Sequence, residues 1–232
     1  MQMILFDLDG TLLPMDQDKF TNGYFKFLAQ KMAPHGYEPK KLIESVWAGT
    51  KAMVVNDGKC TNDKVFWRTF ASIYGENSLK DYDVFEEFYR VEFQQAKMFC
   101  SYNPQAAEIV YAAKKAGYRV ALATNPLFPA IATESRIRWA GLEPDDFEWY
   151  TTYENISYCK PNLSYYLEVA RHLGVAPEEC LMVGNDVGED MVARETGMEV
   201  FLLTDCLLNR EDKDISDYPQ GGFSHLSDFL GI

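Results

Sequence analysis

The sequence predicts an α/β fold: a doubly wound, Rossmann-like parallel sheet carrying an α-helical domain inserted after its first strand. Three observations predict it. Short apolar runs of strand length recur at residues 3–6, 118–123, 180–183 and 200–203, each continuous rather than alternating, as strands buried on both faces require. From residue 103 onward these runs alternate with amphipathic helical stretches, the order that builds βαβ units. Between the first run and the second lie about 80 residues of helix-spaced aromatics with no buried-strand run. The expected organisation is a core domain of residues 1–15 and 100–232 with a helical cap domain of residues 16–99.

In chain order, Met3-Ile4-Leu5-Phe6 is the first strand and stops abruptly in Asp7-Leu8-Asp9-Gly10-Thr11. Phe20, Tyr24, Phe27 and Leu28 predict the first inserted helix, ending near Pro34-His35-Gly36. Leu42, Ile43, Val46 and Trp47 begin a second, which fades toward Gly49. Phe66, Phe70, Ile73 and Tyr74 mark a third, stopped by Gly75, and Val84, Phe85, Phe88, Tyr89 and Phe93 a fourth. Stripes of this kind are packing faces. The turn residues of 55–63 form a loop, with Asn62 and Asp63 placed to cap the helix that follows. Asn103 and Pro104 then open a helix that Gly117 stops. After the strand at 118–123 come a helix (131–139), a weaker strand (147–151), a helix ending at Gly174, the strand at 180–183, a helix to Gly197 and the strand at 200–203. Residues 206–222 are polar and read as a surface loop, and 226–230 as a short terminal helix.

Composition narrows the function classes. A formal charge of −13 argues against binding nucleic acid or acidic membrane, and an anionic substrate must be attracted locally. No apolar run approaches the roughly 20 residues needed to span a bilayer. The start of the chain lacks a basic stretch followed by a cleavable apolar segment, so a cytoplasmic location is expected. Cys60, Cys100, Cys159, Cys180 and Cys206 are scattered, reading as reduced thiols, and His35, His172 and His225 lack metal-ligand spacing.

The chemistry-bearing residues fall at strand ends, where ligands of parallel α/β sheets bind. Asp7 and Asp9, two apart, point to the same side of an extended chain. Two such carboxylates raise one another's pKa unless a cation lies between them, and a hard dication with oxygen ligands, Mg²⁺, answers that cost. Thr124 and Asn125 end the second strand, where a hydroxyl and amides either cap the next helix or hold phosphate oxygens. Lys160 follows the third strand as a point cation. Gly184-Asn185-Asp186 follows the fourth, with Asp190 four residues on and so expected on the same helix face as Asp186. Acids in a first helical turn also complement the helix dipole. Four carboxylates gathered at one sheet edge go beyond that and indicate a metal.

DLDGT after an apolar strand, an apolar strand ending in Thr, Lys-Pro, and an apolar strand followed by Gly-x-Asp-x-x-x-Asp together resemble the haloacid dehalogenase-like (HAD) superfamily, mostly Mg²⁺-dependent phosphatases and phosphomutases. The resemblance spans residues 5–190. It implies that Asp7 is the nucleophile and first Mg²⁺ ligand, and Asp9 the general acid/base whose main-chain carbonyl also touches the metal. It further implies that Thr124, with Asn125, binds phosphate and that Lys160 orients nucleophile and phosphate. Asp186 is implied as a metal ligand and Asp190 as a ligand or its supporting partner. Many members have Gly-Asp where this chain has Gly184-Asn185, so Asn185 competes with Asp186 for the ligand position.

The implied activity is hydrolysis of a small phosphorylated metabolite through an aspartyl-phosphate on Asp7. Asp9 argues against haloalkanoate dehalogenation, whose halide leaving group needs no acid. Schiff-base chemistry on phosphonates through Lys19, Lys26 or Lys51 is disfavoured because the residues after Asp7 lack that subfamily's Ala-Gly-Thr pattern. A phosphosugar mutase and a non-catalytic metal-binding regulator remain as alternatives. The loop of residues 56–62, with Lys51 and Lys59, is the expected place for substrate contacts; oligomeric state is not encoded in any pattern.

Overall fold

The computed structural model describes residues 1–232. Its centre is a five-stranded, all-parallel sheet of β1 (Met3–Phe6), β2 (Arg119–Leu122), β3 (Cys180–Gly184), β4 (Glu199–Leu203) and β5 (Gln220–Gly221). The strand order is β2-β1-β3-β4-β5, so β1 lies between β2 and β3 and the chain reverses its direction of winding beside it. That reversal opens a crevice beyond the carboxyl end of β1.

Both faces of the sheet are covered, and for that reason the strands are apolar throughout rather than alternating. Ile4, Phe6, Val120, Leu122, Leu181 and Val183 face α5 (Pro104–Lys115), α6 (Ala130–Trp139) and α8 (Phe223–Leu230). Met3, Leu5, Ala121, Met182 and Leu202 face α7 (Leu163–Leu173) and a 3₁₀ helix at Met191–Thr196. No helix is long and apolar enough to cross a membrane.

Between β1 and α5 the chain forms α1 (Gln17–Met32), α2 (Pro39–Val54), α3 (Asn62–Tyr74) and α4 (Tyr82–Arg90), with a 3₁₀ helix at Glu92–Phe99. Aromatic edges hold this insertion together: Phe70 meets Phe85 at 5.5 Å and 85°, and Tyr24 meets Phe88 at 5.8 Å and 63°. It packs on the sheet-bearing part through Phe93 against Trp139 and Tyr24 against Phe128. The Asn62 and Asp63 amides also donate to the carbonyls of Ile156 and Tyr153, at 3.1 and 2.8 Å.

Three local expectations differ from the structure. Residues 147–151 form no strand of the sheet: they run beside β2 and make a single parallel bridge, Tyr150 to Leu122. The stretch after β3 is not a regular helix: the Asp186 carboxylate caps a single turn by accepting the Gly188 and Glu189 amides (2.8 and 3.0 Å), and the turn does not continue as an α-helix. Asp186 and Asp190 therefore do not share an α-helical face, and only the 3₁₀ helix follows. Within 206–222, read as loop, Gln220 and Gly221 pair with Leu202 and Leu203 as the edge strand.

Candidate active site

Asp7 follows β1 directly, its amide donating to the Val183 carbonyl at 2.9 Å, and its side chain is only 10% exposed. The chain then folds back on itself: the Gly10 amide donates to Leu13 O and the Leu13 amide to Leu8 O, both at 2.8 Å. Gly10 is required here. Its φ is +88°, and a Cβ would strike the side-chain amide of Asn185. The turn places the Thr11 hydroxyl between two acceptors, Asp7 Oδ2 at 3.1 Å and Asn185 Oδ1 at 2.9 Å.

Lys160 is 1% exposed and reaches across to the nucleophile expected from the sequence. Its Nζ lies 2.9 Å from Asp7 Oδ1 and 2.6 Å from Asp190 Oδ1. The other Asp190 oxygen accepts the Asp186 amide at 2.9 Å, so both Asp190 oxygens are engaged. Gly184 makes this possible, since a Cβ at that strand end would overlap the Asp190 carboxylate. Burial works to lower Lys160, but Asp190 and Asp7 outweigh it and hold the ammonium well above its ordinary range. Burial pushes Asp190 up to about 6 against the pull of Lys160. Asp7 is raised too, by burial first, with Lys160 opposing and the Asp9 charge reinforcing.

Asp9 turns to a cation the sequence did not announce. Arg136, fully buried on α6, donates from Nη1 to Asp9 Oδ2, while Asp9 Oδ1 is buried without a partner. Arg136 also stacks 4.4 Å over the Phe128 ring and donates from Nη2 to the Thr133 hydroxyl at 3.3 Å. Burial raises the Asp9 carboxyl, and Arg136 and Lys160 restrain the rise. Asp186 Oδ2 takes the Arg210 guanidinium, which also reaches Gln17 Oε1 at 3.0 Å. The signal for Arg136 was a basic residue inside the buried stripe Ala132-Thr133-Arg136-Ile137; Arg210, in a polar loop, left no signal.

Thr124 is buried at the exit of β2, its carbonyl held by the Tyr165 hydroxyl (2.8 Å) and the Thr151 hydroxyl (2.6 Å). Asn125 donates to Glu189 Oε2 at 3.0 Å, leaving its Oδ1 buried and unpartnered. Burial pushes Glu189 up to about 7. Asp7, Asp9, Thr124, Asn125, Asp186 and Asp190 line one cavity of about 220 Å³ under the helical insertion. Lys160 lies just behind Asp7. The structure thus brings all seven of the sequence-expected residues together.

The loop of residues 56–62 does not join them. Lys59 pairs with Asp57 at 2.6 Å in solvent, and Asn62 packs on Cys159, its amide 3.3 Å from the sulfur. Neither Lys51 nor Lys59 lines the cavity, which corrects the expectation for substrate contacts.

Nowhere do three acidic, histidine or cysteine side chains converge on one point, so there is no preformed all-protein cage. The donor set still fits a hard dication, because Mg²⁺ is usually held by one or two carboxylates with water and substrate phosphate. One Thr11 proton serves two acceptors, and Asp9 Oδ1 has none. Five carboxylates at the cavity (Asp7, Asp9, Asp186, Glu189 and Asp190) meet three cations (Lys160, Arg136 and Arg210), leaving two negative charges uncompensated when all are ionised.

The site thus gathers the two carboxylates of the loop after the first strand, one of them paired with a buried lysine, at the carboxyl edge of a parallel α/β sheet. The family model of haloacid dehalogenase-like hydrolases matches residues 1–195, and the chain belongs to that family. It is 26% identical over 201 residues to the Bacillus subtilis protein named "Putative phosphatase YhcW", covering 86% of this chain and 82% of that one. It is 24% identical over 215 residues to the glyceraldehyde 3-phosphate phosphatase of Methanothermobacter thermautotrophicus, covering 91% and 89%. The crystal structure of a HAD phosphatase from Thermococcus onnurineus shares the fold with a TM-score of 0.62 at 19% identity, over 100% of this chain and 98% of that one.

Proposed function

We propose that the protein is a Mg²⁺-dependent phosphomonoester hydrolase acting on a small phosphorylated metabolite, with Asp7 as nucleophile and Asp9 as general acid/base. The observation that carries this reading is Lys160 bridging Asp7 and Asp190 at the floor of a cavity that Asp9, Thr124 and Asp186 also line. The two curated relatives, both with phosphatase names, support it. The helical insertion of residues 16–99 serves as a cap domain over the core of 1–15 and 100–232, shielding the cavity from water during reaction.

In the first step an Asp7 oxygen attacks phosphorus, the bond from phosphorus to the ester oxygen breaks, and protonated Asp9 gives its proton to the leaving oxygen. In the second, water attacks the aspartyl-phosphate, the phosphorus–Asp7 oxygen bond breaks, and Asp9 takes the proton from water. A carboxyl raised by burial suits a group that must carry a proton at that moment. Lys160 offsets charge on Asp7 and on the equatorial phosphoryl oxygens, and Thr124 and Asn125 receive the rest. Asp7 and Asp186, with the Asp9 main-chain carbonyl, would hold Mg²⁺, which supplies Lewis-acid stabilisation of the transferred phosphoryl group. Asp190 fixes Lys160 and the turn at Asp186, because neither of its oxygens is free.

The test is release of inorganic phosphate from an aryl phosphate and a panel of metabolite monophosphates, with and without Mg²⁺, beside Asp7→Asn and Asp9→Asn. Metal-dependent release is expected, abolished in Asp7→Asn and reduced roughly 10²–10⁴-fold in Asp9→Asn. Release that survives Asp7→Asn would sink the nucleophile assignment.

A further inference from the structure

The floor of the cavity is acidic and its upper wall is not. Above Asp7 the insertion presents Tyr24, Phe25, Trp47, Phe66, Trp67 and Tyr89, and no lysine or histidine is among the residues lining the space. The single basic lining residue, Arg210, is committed to Asp186 on the floor. A second phosphate or a carboxylate on the leaving group would therefore lose its water against ring faces that carry negative charge density, with no cation to replace it. The aromatic rings' polar tips are spent on one another, which leaves Gln17, Thr21 and Thr50 as the insertion's other polar lining residues. The Tyr24 and Tyr89 hydroxyls share a hydrogen bond of 3.1 Å, and the Trp67 indole donates to the Tyr153 hydroxyl at 3.4 Å.

Size admits a ring. A dry cavity of about 150 Å³ holds benzene, and this one measures about 220 Å³. Trp47 is 52% exposed although its ring lies 5.4 Å from that of Phe25, which is buried. It is a large apolar face at the cavity wall left without a full complement of neighbours, which a flat ligand would cover.

We propose that the enzyme's preferred substrates are phosphate monoesters with an apolar, ring-bearing leaving group that carries no second anionic group, and that Trp47 and Phe25 stack on that ring. The proposal rests on the phosphatase reading above and narrows it, separating this cavity from those that take phosphorylated carboxylic acids or sugar bisphosphates.

Its test is the kcat/KM of the Mg²⁺-loaded full chain for 1-naphthyl phosphate, 2-phosphoglycolate, fructose 1,6-bisphosphate and methyl phosphate. The expected result is a kcat/KM for 1-naphthyl phosphate at least about tenfold above each of the two competitors that carry a second anionic group, the scale of one lost apolar contact plus one stranded charge. Equal or better turnover of either competitor would overturn the proposal while leaving the phosphatase reading in place. Trp47→Ala should raise KM for 1-naphthyl phosphate roughly fivefold more than it raises KM for methyl phosphate, and Trp47→Phe should recover most of that loss. An equal rise for both esters removes Trp47 from the binding face. Binding is read separately by tryptophan fluorescence with phenylphosphonate and phosphonoacetate, neither of which can be hydrolysed. Tighter binding of phosphonoacetate overturns the proposal even if no ester is turned over, whereas tighter phenylphosphonate with no turnover supports it and defeats the phosphatase reading alone.

Discussion

Arg136 and Asp9, 127 residues apart in the chain, form an ion pair in which the guanidinium is fully buried and the carboxylate keeps 23% of its surface. α6 is thereby tied to the loop after β1, and the expected acid/base of the site is held by a buried cation from that helix. Removing one partner of a buried pair leaves the other charge without compensation, which costs about 3–5 kcal/mol when the burial is complete. The partial exposure of Asp9 reduces that figure. Arg136→Met is expected to lower unfolding free energy by about 2–3 kcal/mol in urea titrations. Adding Asp9→Asn should recover at least about 1 kcal/mol of the loss, since the stranded charge is then gone. Simple additivity of the two substitutions would show that the pair is not coupled.

Lys160 presents the same situation with two partners. Lys160→Met leaves Asp7 and Asp190 facing one another in a site where both are raised by burial already. A fall in stability of about 3 kcal/mol is expected, together with loss of at least about 10²-fold in kcat for phosphate release. Thermal unfolding and steady-state kinetics on the same preparation check both. A variant that keeps its kcat would remove Lys160 from the chemistry and leave it a purely structural cation.

Much of this arrangement was legible in the sequence because it follows from backbone placement. Continuous apolar runs give strands of a covered sheet, and polar residues just after them must gather at one edge, which brings Asp7, Asp9, Thr124, Asn125, Asp186 and Asp190 together; Lys160 follows no strand and is legible only through the Lys-Pro resemblance. What escaped depends on side-chain competition or on edges. Asp186 caps a single turn after β3 that leads only into a 3₁₀ helix. β5 is two residues long with no apolar pattern, and residues 147–151 have strand-like composition yet make one bridge. Arg210 is read only from what it touches, and Arg136 shows in the sequence only as a basic residue inside a buried stripe. The loop of residues 56–62, with Lys51 and Lys59, stands apart from the cavity, which is walled instead by aromatic faces whose helical spacing reads as packing.

Gly23 shows how tightly the insertion is packed. It lies in α1, where glycine weakens a helix by about 1 kcal/mol relative to alanine. A Cβ there would overlap the Phe99 ring, and that ring also packs 6.3 Å from Phe27. Overpacking of this kind costs about 1–3 kcal/mol, more than the gain in helix propensity. Gly23→Ala is therefore expected to destabilise by up to about 2 kcal/mol, and Gly23→Ala with Phe99→Leu to recover most of it. Chemical denaturation of the three proteins decides the matter, a stabilised single variant being the contrary result.

Arg119, on β2, grips Glu148 through Nε at 2.8 Å and through Nη2, and its Nη2 also donates to the Leu173 carbonyl at 2.8 Å. The hydrogen bond from Arg119 holds the Glu148 carboxyl below its ordinary value near 4.5, burial opposing weakly. A folded-state value below the unfolded one means the pair stabilises the protein above about pH 4.5, and the stabilisation is lost as pH falls through the lower folded value. With the two side chains 35% and 45% exposed, solvent screens the pair to about 0.5 kcal/mol. Glu148→Gln should thus cost about 0.5 kcal/mol at pH 7, less at high salt, and the two proteins should converge in stability as the pH drops below 4. Urea titrations at pH 7 and at the acid end of the folded range measure the difference; a gap that widens toward acid would contradict the assigned direction of the shift.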